Sequence, residues 1–294
     1  FQVKMILDKL RAKFHIRKEL LRAVLAEFTG TYLLCLIGLS VVAQKVLPRP
    51  EVNEFIGVNV GFGIAIVFGV AVSAKLSGGH INPAVSFAFL SVGQITIVQF
   101  IAYFVAQFFG AFFGAATVYA VYNDAINVFD GGVRTVGGPK DTAGIFASYP
   151  APHLGLVNGF VDQFVATAVF VFLIAHIVDK RNSYPTWLQP ILVGTGFVAI
   201  GAAFGYNCGY PVNPARDFAP RLFTSIFYGG AVFTKWFWVP IVGPFVGAVV
   251  GIWLYYFLIG FHTPQDAEEK YVVLTGNQEL KPLTAKETVD EEAA

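Results

Sequence analysis

The chain has 294 residues, of which 55% are hydrophobic, 16% aromatic and only 13% charged, with a formal net charge of +1. Such a composition excludes an ordinary water-soluble domain, and the near-neutral balance excludes an electrostatic nucleic-acid binder. Most of the chain is expected to lie in lipid.

Residues 1–20 form a basic segment, with Lys4, Lys9, Arg11, Lys13, Arg17 and Lys18 among the apolar Val3, Ile6, Leu7 and Leu10. Two readings are open for it, an amphipathic helix lying on the inner membrane face and a solvated tail. Because this polar stretch comes first, the apolar run behind it is not expected to be a cleaved leader. A helix needs about 20 apolar residues to cross the hydrocarbon core. Six stretches meet that length: 21–43, 55–76, 95–122, 154–178, 188–206 and 236–260. The fold class expected is therefore all-α transmembrane. Lys and Arg collect at the N-terminal segment and at Lys180 and Arg181, which puts both termini on the cytoplasmic side. Residues 261–294 read as a polar cytoplasmic tail. Cys35 and Cys208 fall in or beside different spans, and the five histidines are scattered, so neither a metal site nor a redox pair is expected.

The chain repeats. Ser77-Gly78-Gly79-His80-Ile81-Asn82-Pro83-Ala84-Val85 is answered by Gly209-Tyr210-Pro211-Val212-Asn213-Pro214-Ala215-Arg216-Asp217, with the two asparagines 131 positions apart. Glu27-Phe28 with Thr31 matches Gln163-Phe164 with Thr167. Each half, 21–122 and 154–260, thus holds three spans and one Asn-Pro-Ala segment. Three spans is an odd number, so the second half must sit upside down relative to the first.

Helix chemistry says what such a segment does. Asn is a preferred N-cap and Pro is favoured at the first helical position, so each motif starts a helix. About ten residues from Pro83 give roughly 15 Å, half of a 30 Å core. The glycine-rich backbone ahead of each half-helix is tolerated at membrane depth only where it is buried in protein or lines a watery cavity, which a pore supplies. Inversion brings both half-helix N-termini to the midplane, each carrying roughly half a positive charge, a centre that repels cations. Amide donors of Asn82 and Asn213 there can bind a passing oxygen and break a proton wire.

The paired motifs resemble the two signature loops of the aquaporin, or major intrinsic protein, family, over about residues 20–260. The resemblance implies six spans plus two half-helices, a homotetramer with one pore per protomer, and no cofactor, metal or enzymatic activity. It places Arg216 in a narrow outer filter with Phe62, Gly201 and Tyr210. The loop carbonyls of Gly78, Gly79, His80, Cys208 and Gly209 are expected along the pore, with Glu27, Gln163 and Asp217 as structural support. Strict water channels of the family usually carry His where this chain has Gly201. Glycine widens the filter, and Phe62 with Tyr210 would form an apolar corner for a polyol. Asp217 with Arg221, Pro240-Ile241, Tyr122 and the insertions at 123–153 and 227–235 resemble the glycerol-conducting branch.

The function expected is a passive channel in the plasma membrane. Its permeants would be glycerol, water and other small neutral solutes such as urea or hydrogen peroxide, with ions and protons excluded. A water-selective channel is the alternative. A secondary transporter would need titratable groups at the midplane, where this chain has asparagines and alanines. Cys208, two residues before Tyr210, is a candidate site for mercurial block.

Overall fold

The computed structural model describes residues 2–47, 49 and 51–264, so the tail beyond 264 lies outside the described residues. Among the described residues there are nine α-helices and no strand. Helix α1 covers Gln2–Phe14, α2 Glu19–Val46, α3 Phe55–Ser77, α4 Pro83–Ser91, α5 Ile97–Asp130, α6 Leu156–Val178, α7 Gln189–Cys208, α8 Pro214–Tyr228 and α9 Val239–Leu258. Six of these, α2, α3, α5, α6, α7 and α9, are long and apolar enough to cross a membrane, as the hydropathy of the sequence requires. Only α5 departs clearly from expectation. It runs to Asp130, eight residues into the segment read as a loop from 123. The apolar stretch ends there, but no helix breaker follows until Gly131, which takes a left-handed φ of 69°, and Ile126 is fully buried.

A membrane helix buries a face without a polar opposite side, and α3 illustrates how. Ile56, Val60, Ile64, Phe68, Val72 and Leu76 recur every fourth residue and are all exposed, while Phe62, Gly63, Ile66 and Val70 on the other side are buried. An exposed apolar stripe of this length is a lipid-facing surface.

The two halves interlock. In the first, α2 packs on α3 and α5; in the second, α6 packs on α7 and α9. The half-helices then cross over, α4 lying against α9 and α8 against α5, while α3 and α7 meet along the seam. Association in lipid depends on close backbone approach, because lipid tails are as apolar as the side chains they would displace. The seam shows this directly. A β-carbon on Gly63 would stand 2.8 Å from the Gly194 carbonyl oxygen, and one on Gly194 would stand 2.5 Å from that of Gly63. Replacing Gly194 by Leu is expected to destabilise the bundle by about 1–3 kcal/mol or more through overpacking. Thermal scanning in detergent should show the loss, and Gly230→Leu, where a β-carbon meets open space, should show none.

Candidate functional site

The site is built from two hairpin-like loops that meet inside the bundle. Asn82 and Asn213 both have extended backbone and cap α4 and α8, each followed by Pro at the first helical position. Asn82 Oδ1 accepts from the Ala84 amide at 2.9 Å; Asn213 Oδ1 accepts from those of Ala215 and Arg216 at 3.1 and 3.2 Å. Each asparagine then reaches across to the other half. Asn82 Nδ2 donates to the Val212 carbonyl and Asn213 Nδ2 to the Ile81 carbonyl, both at 2.9 Å. One N–H of each amide thereby staples the loops together, and the second remains for the lumen.

The acceptor residues are held in an unusual conformation. Ile81 and Val212 have φ of 44° and 37°, left-handed values that cost a β-branched residue on the order of 1–3 kcal/mol. Their neighbours must hold them there. Glu27, fully buried in α2, accepts from the amides of His80 at 2.9 Å and Ile81 at 2.7 Å, from Ser77 Oγ at 2.5 Å and from Gln107 Nε2 at 2.8 Å. The His80 ring packs between Phe89 and Tyr103 and bonds Ser86. Among the described residues, no donor reaches the carbonyls of Gly78, Gly79 and His80, and Gly209 receives only the weak thiol donor of Cys208 at 3.5 Å.

The second loop is held differently. Gln163 Oε1 accepts from the Val212 amide at 3.3 Å, while its Nε2 donates to Asp162 Oδ1 at 2.9 Å and to Cys208 Sγ at 3.2 Å. The carboxylate missing at Gln163 has thus moved one residue back, to Asp162, which also receives Asn207 Nδ2 at 2.7 Å. Nothing in the sequence pairs Asp162 with the loop it supports, so this contact emerges only from the fold. Cys208 is the last residue of α7, and its thiol, on a residue only 6% exposed, points into this scaffold beside Trp236 and Val239. The geometry therefore gives no support to mercurial block through it.

Beyond the two asparagines, four side chains from three helices and a loop converge. The Arg216 guanidinium lies 5.1 Å from the Phe62 ring centroid, within cation–π range, and its Nη1 is 3.5 Å from the Phe146 carbonyl. Tyr210 meets Phe62 and Phe197 edge-on at 6.2 and 5.3 Å. Gly201 stands behind Tyr210: a β-carbon there would be 2.6 Å from both the Tyr210 ring and Asn59 Oδ1. Its bareness lets the tyrosine ring recline against α7. Gly38, which sequence reading passed over, does the same for Phe62, whose ring occupies the space a β-carbon on Gly38 would take.

Two cavities approach this point from opposite ends. One of about 980 Å³ runs from Glu19, Lys75 and Trp187 past Gly78, His80, Asn82 and Asn213; the other, about 450 Å³, is bordered by Lys45, Ser148, Tyr149 and Gly209. Phe62, Pro211 and Arg216 line both and so stand where the two cavities meet.

The segment that bears Phe146 is fastened by a buried ion pair. Asp217 and Arg221 are fully buried with Nη2 to Oδ1 at 2.8 Å. Asp217 Oδ2 accepts from the Ser148 amide at 2.7 Å, and Arg221 donates to the carbonyls of Ser148 at 2.6 Å and Val232 at 2.7 Å. Asp217→Asn, which leaves the Arg221 charge buried and uncompensated, is expected to lose about 3–5 kcal/mol. The double variant Asp217→Leu with Arg221→Met should melt above either single change, as measured by thermal unfolding in detergent.

The comparisons with known proteins agree with this geometry. Residues 15–255 match the Major intrinsic protein family. The chain is 43% identical to Aquaporin-10 of Milnesium tardigradum, covering 85% of this chain and 65% of that longer protein. It is 40% identical to human Aquaporin-10 and 42% identical to human Aquaporin-9, in both cases over 91% of each chain. Among solved structures it is similar to the aquaglyceroporin from Plasmodium falciparum, with a TM-score of 0.76 and 31% identity over 83% of this chain and 98% of that one. The chain belongs to the major intrinsic protein family, whose members are membrane channels and not enzymes, and the relatives named above include an aquaglyceroporin.

Proposed function

We propose that the protein is a passive channel for glycerol and other small neutral solutes, urea and hydrogen peroxide among them, together with water. The observation that carries this reading is the outer constriction, where Gly201 leaves room for Tyr210 to recline and where Phe62 and Tyr210 stand beside Arg216. A polyol presents a hydrocarbon edge and a hydroxyl edge. The two rings fit the first, while the five fixed donors of the guanidinium and the nearby carbonyls fit the second. Beyond the constriction, solute exchanges hydration for the unpaired carbonyls of Gly78, Gly79 and His80 and for the spare amide hydrogens of Asn82 and Asn213.

Exclusion of cations and protons follows from the same parts. Arg216 holds a permanent positive charge where the two cavities meet, and the N-termini of α4 and α8 are joined through their crossed asparagines. The asparagines donate from both halves, so a central water accepts there and turns its own hydrogens outward, which interrupts a proton wire. We further infer a homotetramer in the plasma membrane with both termini in the cytoplasm. Family membership supports the first, and the basic N-terminal segment with Lys180 and Arg181 supports the orientation.

Stopped-flow swelling of proteoliposomes, with water and glycerol permeability recorded side by side, tests the reading. Both are expected well above empty vesicles; a rise in water alone would leave a water-selective channel. Gly201→His should push Tyr210 into the lumen and cut glycerol flux about tenfold or more while water persists, a change in barrier of about 1.4 kcal/mol. Unchanged glycerol flux would remove Gly201 and Tyr210 from the filter. Arg216→Val is expected to raise proton and cation leak, measured with a trapped pH dye under a clamped potential.

A further inference from the structure

Helix α1 has no part in the pore, yet its surface is sharply organised. Every side chain described on it, residues 6–14, is exposed, including Ile6 at 57%, Leu7 at 60%, Leu10 at 46% and Phe14 at 70%. At about 100° per residue these four fall within an arc of about 100°. Lys9 and Lys13 border that arc on one side and Arg11 on the other, while Asp8, the single acid among these residues, and Ala12 lie opposite. Lys13 Nζ folds over the Phe14 ring at 5.6 Å, at the edge of the apolar arc.

Nothing among the described residues covers this face, and the chain limits what can. Residues 15–18 are not helical and join Phe14 to Glu19, where α2 begins its crossing. Four residues span at most about 14 Å, so α1 stays beside the point at which α2 enters the bilayer. The bilayer surface is the apolar phase within reach. Flanking lysines and arginines can lay their stems along that apolar arc and lift their charges to the phosphates, and Arg17 and Lys18 in the connector add to the same cluster. A solvated helix would gain nothing from keeping its basic residues at the borders of its apolar arc.

We propose that α1 is an in-plane anchor that lies on the inner leaflet and binds anionic lipid headgroups through Lys9, Arg11 and Lys13. The identity of the leaflet rests on the cytoplasmic placement of the N-terminus; the lipid contact itself does not. The test uses the full-length protein with single spin labels on Leu7→Cys, Asp8→Cys, Leu10→Cys and Ala12→Cys. The unsubstituted chain serves as the blank for its two buried thiols. Samples in nanodiscs of phosphatidylcholine, with and without 30% phosphatidylserine, are probed by power saturation against oxygen and against a water-soluble nickel chelate. The expected result is oxygen access at positions 7 and 10 and nickel access at 8 and 12. That contrast should grow at least twofold with phosphatidylserine and lose the increase in the Lys9→Gln, Arg11→Gln, Lys13→Gln variant. Equal access at all four positions would overturn the anchor, and a contrast indifferent to phosphatidylserine would overturn headgroup binding. Labelling of Ala12→Cys, on the polar side of the helix, by an impermeant maleimide on intact and on permeabilised cells reports the side separately, and labelling of intact cells would reverse the leaflet alone.

Discussion

A polypeptide that leaves helical form at the centre of a membrane exposes amide and carbonyl groups where no bulk water can meet them, each at a cost of several kcal/mol. Everything distinctive in this protein answers that constraint. Glu27 is spent on the amides of His80 and Ile81, Gln163 on that of Val212, and the two capping asparagines on the carbonyls of the opposite loop. Once the donors are occupied in this way, the carbonyls of Gly78, Gly79 and His80 are the groups left over, and they line the larger cavity. The lumen is polar on one side because the scaffold behind it has taken up the complementary groups.

The same logic explains what holds the two loops in shape. Two β-branched residues in left-handed conformation would relax if released, but Ile81 and Val212 are each held at both their amide and their carbonyl. The segment that bears Phe146 is treated alike. Ser148 gives its amide to Asp217, receives Arg221 on its carbonyl and accepts Trp236 Nε1 on its hydroxyl at 3.2 Å, which leaves the neighbouring Phe146 carbonyl aimed at Arg216. A buried ion pair that would be poor evidence for stability alone here orders a loop.

Much of this was legible in the sequence because it depends on spacing. Six apolar runs, two Asn-Pro-Ala segments and their offset give the spans, the half-helices and the inversion without reference to any side-chain contact. What spacing does not reveal is who stands behind whom. Gly38 and Asn59 are unremarkable in a row of apolar residues, and their relation to Phe62 and Tyr210 exists only after α2, α3 and α7 pack. Asp162 adjoins Gln163 in the chain, but its partners Asn207 and Cys208 come from the end of another helix. That Gly201 leaves room is legible in the sequence; that the room is taken by the Tyr210 ring emerges only from the packing.

The halves have ceased to be interchangeable. Where the second motif continues Arg216-Asp217, the first continues Val85-Ser86, so the guanidinium and its loop clamp occur once, at one mouth. Ser86 instead turns to His80 and Gln107 inside the first half. A chain assembled from two copies of the first half would keep the crossing asparagines, yet it would have no guanidinium at either end. Two copies of the second half would place a guanidinium at both. The frame is common to both halves, and the residues that follow each Asn-Pro-Ala segment make its two ends unlike.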